Sequence, residues 1–177
     1  MRKGLLFILF CIICLQSYAQ SAVSLFNKGN GYFRNKDYTQ AFSCYLQSAE
    51  KGYINGQYML AVCYHEGYGV PKNSSKAFEW FLKSAEQGEA MAQYWTGVYY
   101  RNGYGIERDA FKGFYWYKKS AEQGFMPAQS ALADCYFRGE GTSQNLPLSF
   151  YWYGHSSEQG DDYGKNVINF LQQRFWW

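Results

Sequence analysis

Residues 74–88 read SSKAFEWFLKSAEQG, and residues 110–124, thirty-six positions further on, read AFKGFYWYKKSAEQG. The closing tetrad anchors the comparison: Ala49-Glu50-Lys51-Gly52 returns as Ala85-Glu86-Gln87-Gly88, Ala121-Glu122-Gln123-Gly124 and Ser157-Glu158-Gln159-Gly160. Upstream, Phe42, Phe78, Phe114 and Phe150 share one column, and Tyr45, Phe81, Tyr117 and Tyr153 share another. Trp80, Trp116 and Trp152 align with one another and with Cys44 of the first copy, while Asp37, Asn73, Asp109 and Asn145 form a further column. The register runs from Asp37 to Gly160 without an insertion, which is the mark of one structural unit used several times.

Each column has a physical task. Asp and Asn side chains accept hydrogen bonds from the free amides of a helix start, so the Asp37 column predicts helix caps. The run that follows places Ala77, Phe78, Phe81, Leu82 and Ala85 at helical spacing. The closing glycine supplies the left-handed turn that ends such a helix. This predicts a helix B of about fourteen residues in each repeat. A helix A precedes it, with Leu60, Ala61 and Tyr64 on Gln57 to His65, and Trp95, Val98 and Tyr99 on Ala92 to Arg101. Between A and B stand Gly67-Tyr68-Gly69-Val70, Gly103-Tyr104-Gly105-Ile106 and Gly139-Glu140-Gly141-Thr142. Paired glycines let the chain reverse there. The loop lacks the lysine of a phosphate-binding P-loop.

The first residues read as an export signal. Arg2 and Lys3 precede an uncharged apolar run, Leu5 to Leu15, and Ser17-Tyr18-Ala19 offers small residues for a signal peptidase, which predicts cleavage after Ala19. That run is too short to span a bilayer, so no membrane span is expected after cleavage. Without Arg2 and Lys3 the formal net charge falls from +3 to +1, and no basic stripe remains to neutralise nucleic acid phosphates. Cys44, Cys63 and Cys135 remain of the five cysteines, an odd number that excludes a dense disulfide framework. A secreted or periplasmic location is expected.

The columns resemble the Sel-one-like repeat (SLR) family, a relative of the tetratricopeptide repeat. The second copy carries Leu60-Ala61, Tyr64, Gly67-Tyr68-Gly69-Val70, Lys76-Ala77, Trp80-Phe81 and Ser84-Ala85-Glu86-Gln87-Gly88. The third carries Gly97, Tyr100, Gly103-Tyr104-Gly105-Ile106, Lys112-Gly113, Trp116-Tyr117 and Ser120-Ala121-Glu122-Gln123-Gly124. The first copy departs, with Gly29, Tyr32, Asp37-Tyr38 and Ala41 around a shorter turn, and looks like a plain tetratricopeptide hairpin. The implied fold is an all-α, right-handed α-solenoid of antiparallel helical hairpins. Its expected segments are a leader at 1–19, a tetratricopeptide-like hairpin at 20–52 and SLR repeats at 53–88, 89–124 and 125–160. Residues 161–177 are expected to form a capping helix, with Phe175-Trp176-Trp177 at its end. Some exported members of the family staple helix A to helix B with disulfides, but the columns of Ser84 and Ser120 hold no cysteine here. Cys63, Tyr99 and Cys135 share a helix A column and read as core residues.

No catalytic constellation emerges, and no metal or cofactor is expected. His65 and His155 have no ligand spacing with each other or with a cysteine. Glu50, Glu86, Glu122 and Glu158 recur once per repeat, which assigns them to the hairpin junction rather than to acid–base chemistry. In solenoids of this kind, the resemblance implies, helix A lines a concave groove that binds a protein or peptide. Carried onto this chain, the groove comprises Tyr58, Val62, His65 and Glu66, then Tyr94, Val98, Arg101 and Asn102, then Ser130, Asp134, Phe137 and Arg138. Tyrosine and arginine are enriched at binding hot spots. The expected function is a protein-interaction adaptor or scaffold. Two alternatives stand beside it: a cell-wall or β-lactam hydrolase, an activity suggested for some exported relatives, and a self-associating structural module.

Overall fold

A computed structural model describes residues 2–175, with side chains from 16 to 173. It forms α1 (Arg2–Arg34), α2 (Tyr38–Glu50), α3 (Ile54–Glu66), α4 (Ser74–Glu86), α5 (Ala90–Asn102), α6 (Ala110–Glu122), α7 (Met126–Arg138), α8 (Leu146–Glu158) and α9 (Asp162–Phe175). No strand occurs among the described residues. The chain is an all-α solenoid of stacked antiparallel hairpins, in which odd-numbered helices are the expected A helices and even-numbered ones the B helices. It divides into two compact units, Met1–Ser84 and Ala85–Trp177. The side chains of Leu5 to Leu15 and of Phe175-Trp176-Trp177 lie outside the described residues.

The caps follow the columns. Asp37, Asn73, Asp109 and Asn145 each accept a hydrogen bond through Oδ1 from the amide three residues on, at 3.2, 2.9, 3.0 and 3.0 Å. Each satisfies an amide that the helix itself leaves free. At the far end of the B helices, Gly52, Gly88, Gly124 and Gly160 have φ of 82, 98, 86 and 97°. The next amide then reaches back to the helix, as when Tyr53 N–H donates to the Ser48 carbonyl at 3.2 Å and Phe125 N–H to that of Ser120 at 3.3 Å.

The A–B turn closes in the same way in each repeat. Asn73, Asp109 and Asn145 donate their amides to the carbonyls of Tyr64, Tyr100 and Tyr136 at 2.9, 2.8 and 2.8 Å. The second glycine of the first and third pairs, Gly69 and Gly141, serves the stacking of repeats. A Cβ on Gly69 would lie 2.1 Å from the Tyr38 carbonyl oxygen, and one on Gly141 would lie 2.1 Å from that of Ala110. Only a residue without a side chain lets the turn rest on the first residue of the preceding B helix.

Two polar columns fasten the hairpins. Ser48, Ser84 and Ser120 are fully buried and donate Oγ to the carbonyls of Ala22, Ile54 and Ala90 at 2.8, 3.2 and 2.6 Å. In each hairpin this hydrogen bond ties the B helix to the A helix before it. In the second unit Gln123 Nε2 donates to the Gly88 carbonyl at 3.0 Å and to Gln93 Oε1 at 2.7 Å. One repeat later Gln159 Nε2 does the same to Gly124 and Gln129, at 3.2 and 2.8 Å. The glutamates beside these glutamines, Glu50, Glu86, Glu122 and Glu158, point to solvent. The junction work assigned to the glutamates therefore falls to Gln123 and Gln159, because an uncharged amide can both donate and accept in a half-buried site.

The core is the aromatic column. Tyr45, Phe81, Tyr117 and Tyr153 are buried to 2% exposure or less. Gly97 makes room for Tyr117, whose Cδ1 would lie 2.7 Å from a Cβ there. Cys44, Cys63 and Cys135 are buried and free, as small core residues. Leu171 is the buried anchor of α9, while Val167 and Ile168 are half-buried.

Candidate functional site

The candidate site is the face of the A helices that the B helices leave uncovered. In the first unit it comprises Tyr58, Val62 and His65, all half-buried, and the exposed Glu66 on α3. The Tyr58 ring sits 5.9 Å from that of Phe81, so its inner edge belongs to the core. His65 tilts toward the same phenylalanine at 6.4 Å, and its Nε2 lies 3.7 Å from Glu66 Oε1. Lys72 Nζ approaches the other oxygen of Glu66 at 3.9 Å.

In the second unit Tyr94, Val98 and Arg101 lie along one side of α5, as a spacing of two turns requires. Tyr94 and Val98 pack against the cluster of Tyr117, Ala121, Ala128, Leu132 and Cys135. The Tyr94 ring meets Phe125 edge-on at 5.6 Å and Tyr117 at 5.8 Å. Burial raises the Tyr94 and Tyr117 phenols above the usual tyrosine range, and the Arg101 charge offsets part of that rise. Asn102 is exposed and donates Nδ2 to the Val98 carbonyl at 2.8 Å.

Arg101 is held by a partner the repeat pattern does not announce. Its Nε and Nη2 donate to Glu140 Oε2 at 3.0 and 2.7 Å, and Arg108 Nη2 donates to Glu140 Oε1 at 2.7 Å. Arg108 Nε also donates to the Arg101 carbonyl at 2.8 Å. Burial works against both charges of the Arg101–Glu140 pair, but the hydrogen bonds and opposite charge win. The guanidinium is held above its ordinary range, and the carboxyl below its own. Glu140 occupies the turn position that holds Tyr68 and Tyr104 in the other copies. Tyr68 does the equivalent job with rings, stacking on Tyr38 at 4.8 Å and meeting Phe33 edge-on at 5.2 Å. The odd residue in an otherwise aromatic column was the available signal for this ion pair.

On α7 the structure gives Asp134 an internal role. Its Oδ1 accepts from Tyr153 Oη at 2.5 Å and from Tyr163 Oη at 3.0 Å. Ser130 Oγ donates to Asp161 Oδ2, whose other oxygen accepts from the Tyr163 amide at 3.1 Å. Phe137 is half-buried and Arg138 exposed. The site residues thus fall into two sets. Arg101, Asp134 and Ser130 hold helices together, whereas Asn102, Arg138 and Glu66 reach solvent.

The reactive groups are spent on structure. Burial pushes the Cys63 and Cys135 thiols up to about 12, which keeps them protonated and unreactive. His155 is half-buried against Tyr151, ring centroids 4.5 Å apart, with Nδ1 3.5 Å from Glu158. Among the described residues no group of three or more His, Cys, Asp or Glu could hold a metal ion.

The Sel1 repeat family profile matches residues 17–53, 54–89, 90–125 and 127–161, so the shorter-turned first hairpin is included. A protective antigen with an SLR fold, c5321 of uropathogenic Escherichia coli, is 32% identical with a TM-score of 0.85. The alignment covers 90% of this chain and 36% of that one, so this chain spans about a third of its relative. A Sel1 repeat protein from Oxalobacter formigenes is 30% identical with a TM-score of 0.79, over 84% of this chain and 61% of that one. The Helicobacter pylori cysteine-rich protein B shares the fold at 17% identity and a TM-score of 0.58, over 69% and 93% of the two chains. A comparison with curated proteins finds no significant match.

Proposed function

Because the chain belongs to the Sel1 repeat family, we propose that it is a protein-interaction scaffold that takes a protein or peptide on its A-helix face. Fold and family favour a scaffold over an enzyme. One observation carries the finer reading. The A-helix positions are half-buried rather than closed over, with Tyr58 and Val62 in one unit and Val98 and Phe137 in the other flanked by exposed polar ends at Glu66, Asn102 and Arg138. Within each unit, partly exposed apolar residues beside a polar edge have the layout of a binding surface. The reading extends to an exported protein, cleaved after Ala19 and acting in the periplasm or outside the cell. Its support is the charged start, the short apolar run and the small residues at 17–19.

Photo-crosslinking in the producing cell tests the surface. A photoreactive residue at Glu66, Asn102 or Arg138 is expected to trap one common partner, and a control at exposed Gln47 on α2 to trap none. Trapping from Gln47 with silence at the three A-helix positions would overturn the proposal.

A further inference from the structure

The first A helix begins inside α1, and three contacts fix where. Ser48 Oγ donates to the Ala22 carbonyl as Ser120 Oγ does to that of Ala90. The Phe26 ring meets Tyr53 edge-on at 5.2 Å, as Tyr94 meets Phe125 at 5.6 Å. A Cβ on Gly29 would lie 2.9 Å from Tyr45 Cδ1, and one on Gly97 would lie 2.7 Å from Tyr117 Cδ1. Ala22, Phe26 and Gly29 thus do the work of Ala90, Tyr94 and Gly97, sixty-eight positions on in each case and four short of two repeats. The shortened turn before α2 accounts for the missing four. Residues 22–34 are therefore the counterpart of α5 and share its length of 13 residues.

Ser21 then falls at the N-cap place, where Glu89 accepts from the Ala92 amide. In the uncut chain α1 continues back to Arg2, and Ser21 donates Oγ to the Tyr18 carbonyl at 2.7 Å. Removal of residues 1–19 takes that carbonyl away and frees the serine to cap the amide of Ser24. Only Gln20 is left ahead of the repeat. Its side chain is exposed and makes no hydrogen bond among the described residues. A residue in that place has the freedom of a chain end.

We propose that Gln20, once it is the N-terminal residue, closes on itself to pyroglutamate. The unprotonated α-amine attacks the side-chain carbon Cδ, and a nitrogen–Cδ bond closes a five-membered lactam. The bond from Cδ to Nε2 breaks, and Nε2 leaves as ammonia with the proton that the amine gives up. No oxidant, reductant or co-reactant enters. The amine titrates at about 7.7–8.0, so a substantial share of it is nucleophilic near neutral pH. Cyclisation removes a positive charge from the start of the first A helix, where it would oppose the helix dipole. It also leaves no free amine for an aminopeptidase. The modification rests on the export reading above, because cleavage after Ala19 is what makes Gln20 terminal.

Amine-reactive labelling of freshly purified exported chain, followed by mass spectrometry, reads the terminus. Labelling first separates cyclisation in the producing cell from cyclisation during digestion. The wild-type chain is expected to begin at Gln20, to be lighter there by one ammonia and to take no label on its α-amine. Gln20→Asn and Gln20→Ala chains are expected to keep the same cut, with the α-amine labelled and no ammonia lost. The asparagine amide would need a strained four-membered ring, and alanine has no amide to attack. A wild-type chain that begins at Gln20 with its amine fully labelled would overturn the inference and leave export standing. An intact Met1, or a start at another residue, would overturn both. A blocked terminus in either variant would show that a different reaction caps the chain, and would equally overturn the cyclisation.

Discussion

Gly124 and Gly141 have nearly the same backbone conformation, φ 86° and 70°, yet should differ widely in what an added methyl group costs. At Gly124 a Cβ would meet nothing within 4 Å. Alanine there suffers only the left-handed conformation, about 1 kcal/mol. At Gly141 the Cβ would lie 2.1 Å from the Ala110 carbonyl oxygen, 2.7 Å from its carbon and 3.0 Å from Phe114 Cβ. Carbon and oxygen rest no closer than about 3.3 Å, so the turn must withdraw by roughly 1 Å from the start of α6. Overpacking of that kind adds about 1–3 kcal/mol. The expected cost of Gly141→Ala is therefore about 2–4 kcal/mol, with a fall in denaturant sensitivity if the two hairpins of the second unit uncouple. Equilibrium unfolding in guanidinium chloride, followed by far-UV circular dichroism, measures both variants. Equal costs would refute the claim that the second glycine serves stacking and the closing glycine serves only the turn.

Other expectations rest on single observations. Trp116 is only 8% exposed, so Trp116→Ala should lower stability by roughly 3–5 kcal/mol in the same assay. Glu140→Gln should cost about 1 kcal/mol at neutral pH, since two arginines lose their charged acceptor. The folded-state value of Glu140 is depressed, so its contribution is present above the ordinary glutamate value of 4.5 and fades as pH falls through the lower, folded value. Urea titrations at a series of pH values should show wild type and Glu140→Gln converging in strong acid; a gap that persists there would count against the ion pair. Mass spectrometry of exported material should find an N-terminus at Gln20, and an intact Met1 would exclude cleavage after Ala19.

Much of the fold could be read in the sequence, because a repeat turns weak local signals into strong ones. A single Asp or Asn before an apolar run is a modest hint of a cap, but Asp37, Asn73, Asp109 and Asn145 at equal intervals leave little choice, and all four cap. The closing glycines behave likewise. The Gln123–Gln93 clasp is not legible in the sequence, because its partners lie thirty positions apart and each looks like an ordinary helix-end polar residue. The Arg101–Glu140 pair is hidden for another reason: its geometry is set by how far one turn reaches over the preceding repeat. Helical spacing put Arg101 beside Tyr94 on one face, but spacing within a helix says nothing of which loop arrives above it.

This distinction bears on where partners can bind. Where all copies agree, as at the caps, the closing glycines and the aromatic core, the residue answers a demand every repeat makes, and substitution there registers as lost stability. Where copies disagree at an exposed position, the fold is indifferent and the residue is free to serve recognition. Glu66, Asn102 and Arg138 share one such column near the ends of the A helices. Ser75 and Phe111, or Glu79 and Tyr115, mark another on the B helices. His65, Arg101 and Phe137 form an intermediate case: the column varies, yet Arg101 is tied to Glu140 while His65 and Phe137 are half-buried. On the proposed binding face, changing Arg101 would therefore cost stability as well as any contact it makes, whereas Asn102 donates to its own helix and Arg138 is exposed. Asn102 and Arg138 are accordingly the positions at which the proposed binding can be tested apart from the fold.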